Sequence, residues 1–233
     1  MSFKKNKYKI IKSPLSAEMI RFIYDYFLLK RKVAQTFIEQ KYISGFTTEW
    51  GVWGDTQIKE TYSHYADIVM ECLLDKLVPV MEKNTGLKLV PTYSYARIYK
   101  KGDELLRHKD RKSCAVSATM FLGGDPWAIF IDPTGNRGAK GISVKQKPGD
   151  ILIYSGCDLE HWREPLKGKS HCQVFLHYNE KNSSELKYDK REHLGLPEYF
   201  RNVYFEEGKK THWWDEASQS WRDAVEKDPF KDD

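Results

Sequence analysis

No run of apolar residues in this 233-residue chain approaches the roughly 20 needed for a helix to cross a bilayer, and Met1-Ser2-Phe3-Lys4-Lys5-Asn6-Lys7 carries no apolar signal core. A membrane-spanning helix is therefore excluded, and a cytoplasmic location is the expectation. Cysteine is scarce: Cys72, Cys114, Cys157 and Cys172 stand far apart with no C-x-x-C pair, which argues against a zinc knuckle or a disulfide framework and for four reduced thiols. Charge of one sign is also lacking, because 38 basic side chains are interleaved with 33 acidic ones. The net +5 does not mark a nucleic-acid binder, and the one local cluster, Lys4, Lys5, Lys7, Lys9 and Lys12, reads as a solvated arm. No internal repeat or low-complexity stretch is visible.

What is present suits a single buried core with terminal additions, since the chain is too short for two independent functional domains. Ser16, after Pro14, opens a segment to Glu39 with Met19, Ile20, Ile23, Phe27, Leu28 and Phe37 at helical spacing, which predicts an N-terminal helix capped by Ser16. Gly45 to Gly54, with Trp50 and Trp53, reads as a loop. From Tyr62 to Asn84, Tyr65, Ile68, Val69, Cys72, Leu73, Leu77, Val80 and Met81 predict a second long helix, kinked at Pro79 and ending at Thr85-Gly86.

After Gly86 the pattern changes to short runs of β-branched and aromatic residues separated by Gly, Pro and Asp turns. Strands are predicted at Val90 to Tyr99, Cys114 to Leu122, Trp127 to Ile131, Gly141 to Val144, Asp150 to Tyr154 and His171 to Tyr178. Helices followed by a run of strands imply an α+β fold, a β-sandwich packed on helices. The polar C-terminal segment from Ser183 carries Tyr199, Phe200, Tyr204, Phe205, Trp213, Trp214 and Trp221, with one helix predicted near Asp215 to Lys227.

The run Arg107-His108-Lys109-Asp110-Arg111 places an imidazole and a carboxylate two residues apart. In extended chain, residues i and i+2 share a face, so both can reach one cation. A third donor, His161, comes after the strand-like Asp150 to Tyr154. Two imidazoles and one carboxylate on one side of an ion leave positions open for a chelating co-substrate and dioxygen, the donor set of non-haem Fe(II). A structural zinc site would close with four protein ligands and usually includes thiolates. H-x-D alone is a weak motif; the strand context and the second His give it weight.

Tyr99-Lys100-Lys101-Gly102 through His108-Lys109-Asp110 resembles the Y-x-x-G-x-x-x-x-x-H-x-D run of the prolyl 4-hydroxylase-like Fe(II)- and 2-oxoglutarate-dependent oxygenases. Lys147-Pro148-Gly149-Asp150 with Asp158-Leu159-Glu160-His161 and Pro165 resembles their distal-histidine half, and the match spans about Val90 to Tyr178. The resemblance implies a cupin-like double-stranded β-helix (jelly roll), with helical support in 1–89, a catalytic core in 90–180 and an extension in 181–233 packed on the core. It implies Fe(II) on His108, Asp110 and His161, with 2-oxoglutarate and O2 as co-substrates and ascorbate as an accessory reductant.

It also implies a Lys or Arg on the strand after the distal His to hold the far carboxylate of 2-oxoglutarate. His171 stands in that place, which leaves Lys169, His171 and Arg163 as candidate anchors. Tyr99 corresponds to the tyrosine that hydrogen-bonds the co-substrate, or else packs in the core. Ser117 and Thr119 share one strand face, as further hydroxyl donors or as ordinary strand residues. Arg97, Trp127, Trp162 and His177 are candidate pocket-lining residues; His64, His193 and His212 read as surface or structural. The expected reaction is hydroxylation of a C–H bond with release of succinate and carbon dioxide, the acceptor a prolyl residue of a peptide or protein. A free amino acid, another small molecule or a nucleobase is the alternative acceptor. The rivals are a cupin-like metal- or ligand-binding module without turnover, and a zinc-dependent cupin isomerase or hydrolase. The loop from Phe46 to Thr61 and the C-terminal aromatic segment are where selection of substrate is expected.

Overall fold

In the computed structural model, which describes residues 3–198 apart from 46 and 137, the N-terminal part runs α1 (Phe3–Asn6), β1 (Tyr8–Ile11), α2 (Ala17–Glu39), β2 (Val52–Trp53), β3 (Tyr62–Tyr65), α3 (Ile68–Lys76) and α4 (Val78–Thr85). The later strands are β4 (Leu89–Lys100), β5 (Leu105–His108), β6 (Val116–Gly124), β7 (Ile129–Asp132), β8 (Ile142–Val144), β9 (Ile151–Tyr154), β10 (Glu160–Arg163) and β11 (Ser170–Glu180). Ser16 caps α2 as its sequence predicts, its side chain accepting from the Met19 N–H. Gly86 ends α4 in the left-handed region at φ 74°.

Two expectations need correction. Tyr62 to Tyr65 is not the start of a helix but a strand, paired antiparallel with Tyr95 to Ile98 of β4. Positive φ at Ala66 breaks the chain there, and Asp67 caps α3 by accepting from Met70 N–H. The helical spacing of Tyr62 and Tyr65 with Ile68 and Val69 is real, but the partner strand that decides their conformation lies some 30 residues away in sequence. The lysine-rich arm is likewise not wholly solvated: Tyr8–Ile11 forms an edge strand on β9, Tyr8 opposite Tyr154. Lys4, Lys5, Lys7 and Lys12 are exposed, and Lys9, the one lysine within the strand, is half-buried.

The strands form a seven-stranded sheet ordered β1-β9-β6-β11-β4-β3-β2 and a four-stranded sheet ordered β5-β10-β7-β8. From β4 to β11 the chain passes between the two sheets, with only β7 and β8 consecutive in one sheet, and this is the double-stranded β-helix that the resemblance implied. The N-terminal part adds three strands to the larger sheet as well as helices.

Alternation along the large sheet separates two environments. Ala96 and Ile98, Ala118, Met120 and Leu122, Ile151 and Ile153, and Val174 and Leu176 join one apolar cluster with Ile20, Ile23 and Phe27 of α2 and with Met70, Leu74 and Met81 of α3 and α4. Burial of one such side chain contributes about 1.5–3 kcal/mol. The intervening residues face the interior between the sheets, and there buried polar side chains, Arg97, Ser117, Thr119, His171, Gln173 and His177, stand among Tyr99, Phe121, Leu152 and Tyr154. So many buried polar groups on one sheet face are costly unless each is partnered, and their partners define the site. The helix expected near Asp215 to Lys227, the aromatic residues from Tyr199 to Trp221, and His212 lie outside the described residues.

Candidate metal centre

His108 closes β5 and His161 lies on β10, directly opposite it in antiparallel register, so the two rings stand with centroids 4.3 Å apart. Asp110 comes just after β5 and is fixed by its N–H donating to the Gly156 carbonyl at 2.9 Å. His161 Nε2 is 3.4 Å and His108 Nε2 3.7 Å from Asp110 Oδ1. The potential ligand atoms of the three all lie within 4.8 Å of one another.

The ring orientations are set by backbone. His108 Nδ1 meets the Leu106 carbonyl at 2.7 Å and His161 Nδ1 the Leu159 carbonyl at 3.2 Å. A carbonyl only accepts, so each Nδ1 donates its proton there and each Nε2 is left facing Asp110. Burial, together with the charge of the neighbouring His161, pushes the His108 pKa down and favours the neutral form that ligates metal. Burial alone would raise the Asp110 pKa, but hydrogen bonding and charge from His161, the charge of His177 and the Ser117 hydroxyl outweigh it and hold the carboxylate ionised.

Neighbours hold this set in place. Arg107, on the opposite face of β5, binds Glu160 of β10, Asp132 of β7 and the Ala139 carbonyl, and its guanidinium lies 4.2 Å from the Trp162 ring. It thereby locks the strand carrying His108 to the strand carrying His161. Gly156 is required beside Asp110: a Cβ there would stand 2.3 Å from Asp110 Oδ2 and 2.4 Å from the Cys114 carbonyl. Ser117 donates to Asp110 Oδ2 at 2.8 Å and lies 2.9 Å from His177 Nδ1.

Asp110, Cys114 and His177 form a second cluster with ligand-like spacing. Its chemistry is unsuitable for a cation. Burial pushes the Cys114 thiol well above its ordinary range, with the Asp110 charge adding to the shift, and its sulfur meets the Tyr93 hydroxyl at 3.1 Å. His177 Nδ1 is already engaged by Ser117.

The three residues open on a cavity of about 310 Å³ that Arg97, Tyr99, Tyr154 and Phe175 also line. None of the three candidate anchors is among the cavity-lining residues, and Lys169 is exposed. His171 is buried, but both ring nitrogens are engaged, Nδ1 with the Asp125 carbonyl and Nε2 with the Gln173 amide. Burial, and then the nearby Arg163 charge, push its pKa down to about 3, so it is neutral and offers no cation to a carboxylate. Thr119 bonds to the same Gln173 amide.

Arg163 is different. It is 1% exposed, and its Nε and Nη2 have no partner. Nη1 donates to the Trp127 carbonyl at 2.7 Å, and the guanidinium lies 4.8 Å from the Trp127 ring. Burial pulls its pKa down to about 10, and the groups that oppose the shift are Tyr99 and Tyr154, both cavity-lining, with no carboxylate among them. The Tyr99 hydroxyl is also buried without a partner. A guanidinium and a phenol, both desolvated and unsatisfied beside the His-Asp-His set, fit an anionic ligand bound next to a metal ion. The features that identify Arg163 could be seen only in the fold, because it is two residues from His161 in sequence rather than on the next strand.

Trp162 stacks on Phe130 and Arg107, His64 is buried against Asp67, and His193 is exposed with its Nδ1 on the Leu194 carbonyl. None of the three is among the residues that line the cavity. No helix among the described residues is long and apolar enough to cross a membrane.

No family model matches the sequence, and no curated protein matches it. Solved structures do resemble the fold. A prolyl-4-hydroxylase from Pseudomonas putida superposes with a TM-score of 0.53 at 14% identity, over 77% of this chain and 95% of that one. EctD from S. alaskensis with bound Fe gives 0.57 at 16% identity over 84% and 81%. HygX from Streptomyces hygroscopicus, with nickel and 2-oxoglutarate bound, gives 0.53 at 12% identity over 77% and 85%. At these identities the likeness establishes the shared double-stranded β-helix, within which the neighbours differ in what they act on.

Proposed function

We propose that the protein is an Fe(II)- and 2-oxoglutarate-dependent dioxygenase that hydroxylates a C–H bond. The observation that carries this reading is that His108, Asp110 and His161 open on a cavity that Tyr99 also lines, with the unpartnered, fully buried Arg163 two residues along the strand from His161 and near Tyr99. His108 and His161 would offer Nε2 and Asp110 a carboxylate oxygen to the ion. Arg163 and Tyr99 would hold the far carboxylate of 2-oxoglutarate, the role the resemblance gave to a Lys or Arg elsewhere. Bound Fe(II), 2-oxoglutarate and dioxygen supply oxidative decarboxylation, which yields succinate and carbon dioxide and places one oxygen atom on the substrate. The chain supplies orientation, a cavity walled by aromatic rings, and a fixed counter-charge.

A prolyl ring is the acceptor the sequence resemblance favours, in a peptide or protein. Among structures sharing the fold, prolyl hydroxylases stand beside SnoN, an epimerase of nogalamycin biosynthesis, so the fold leaves the acceptor open.

Protein reconstituted anaerobically with Fe(II) should form succinate from 2-oxoglutarate once oxygen and prolyl peptides or single amino acids are admitted. His108→Ala and Asp110→Ala should reduce the rate to that of protein-free buffer. A loaded protein that forms no succinate with any acceptor would instead indicate a binding module, and turnover without oxygen would indicate a zinc-type cupin.

A further inference from the structure

Arg97 belongs neither to the His-Asp-His set nor to the Arg163–Tyr99 pair. It lies on β4 two residues before Tyr99, on the same face, and lines the cavity. Its guanidinium lies between two rings, 5.1 Å from that of Tyr95 and 5.4 Å from that of Tyr99. It lines the same cavity as His108, whereas Arg163 packs against the Trp127 ring. One nitrogen, Nη2, reaches Asp55 and the Tyr95 hydroxyl. Nε is buried with no partner, on a residue only 1% exposed.

Asp55 does not use up this cation. Its Oδ1 accepts from the backbone N–H groups of Gln57 and Ile58, and its Oδ2 takes the Tyr95 hydroxyl together with Arg97. The contact thus ties down the loop between β2 and β3, whose residues Asp55, Thr56 and Gln57 form one wall of the cavity. Besides Asp55, the only other carboxylate lining the cavity among the described residues is Asp110. The other cation there, Arg111, is matched by a two-point contact with Asp189. The cavity lining therefore includes a guanidinium with one N–H still unpartnered, and the cavity volume is at the small end for a ligand site.

We infer that Arg97 binds the carboxylate of the substrate, and that the acceptor is a small amino or imino acid enclosed under the Asp55 loop. This rests on the oxygenase reading and narrows its acceptor: free carboxylates are recognised, and residues inside a protein chain are not.

The test uses the full chain loaded with Fe(II) and 2-oxoglutarate without oxygen, titrated calorimetrically with single amino acids, L-proline first, each paired with its amide. At least one acid should bind, with its amide weaker by roughly 30-fold or more. Arg97→Met should weaken that acid by a similar factor and leave 2-oxoglutarate affinity unchanged, and Arg97→Lys should recover part of the loss. If Arg97→Met does not fold, the acid and amide pair on the unaltered protein still decides. Equal affinity for acid and amide, no binding by any amino acid, or loss of 2-oxoglutarate binding in Arg97→Met overturns the inference. Failure of the unaltered protein to bind 2-oxoglutarate appears before any acid is added, and it overturns the oxygenase reading itself.

Discussion

Ser117 has one hydroxyl proton and three polar neighbours, Asp110 and His177 and, farther off at 3.2 Å, the Cys114 carbonyl. Asp110 is held ionised and can only accept, so the proton goes to Asp110 Oδ2, and His177 must donate its Nδ1–H to the Ser117 oxygen. Burial pushes the His177 pKa down to about 4, consistent with a neutral ring carrying that one proton at Nδ1. This relay orients the carboxylate without touching the ion. Ser117→Ala should lower metal affinity by about 10- to 100-fold, read by Mn(II) titration with paramagnetic resonance detection, and leave the fold intact. An unchanged affinity would mean that Gly156 and the backbone of Asp110 suffice to hold it. From sequence, Ser117 was legible only as a strand residue on the same face as Thr119. Their roles diverge because Asp110 and His177 flank one, whereas Gln173 takes the other.

Asp67 does at the scale of an element what Asp110 does at the site. One carboxylate oxygen caps α3 through Met70 N–H, and the other meets Tyr26 and Lys30 of α2 and His64 of β3. Burial alone would raise its pKa, but the His64 hydrogen bond and the Lys30 charge outweigh it and leave the folded value well below the ordinary one. A depressed carboxylate stabilises the fold above its unfolded pKa, and that contribution is lost as pH falls through the lower, folded value. Thermal stability should therefore decline as pH drops below about 4. In Asp67→Ala, stability at neutral pH should fall by roughly 3–5 kcal/mol, with a shallower acid limb, measured by denaturation across pH. At this scale α2 was fully legible, because its cap and its apolar stripe are local. β3 and β1 were not, since a four-residue strand is specified by the strand it pairs with.

For the whole molecule, the unsatisfied groups at Arg163 and Tyr99 are a cost in the ligand-free state, roughly 1–3 kcal/mol for each unpartnered polar group. A dicarboxylate that satisfies them should raise the melting temperature, by the equivalent of about 2.7 kcal/mol when its free concentration is 100 times Kd. Arg163→Met should separate the two effects: the ligand-free protein should melt no lower than the unaltered one, while stabilisation by 2-oxoglutarate with Mn(II) disappears. A scan in which Arg163→Met still gains stability from 2-oxoglutarate would place the anchor elsewhere.

The sequence by itself determined α2, the strands β4, β6, β7, β8, β9 and β11 and the H-x-D run with its later histidine, because these depend on spacing along one chain. It also left Lys169 and His171 level as anchors, with Arg163 behind them. Only the tertiary structure ranked them: exposure removes Lys169, burial and the Arg163 charge keep His171 neutral, and closure of the β-helix buries Arg163 near Tyr99 with no carboxylate of the described chain to meet it. Burial and pairing are properties of the assembled neighbours, and the neighbours of Arg163, from Tyr99 to Trp127 and Tyr154, come from three separate parts of the chain.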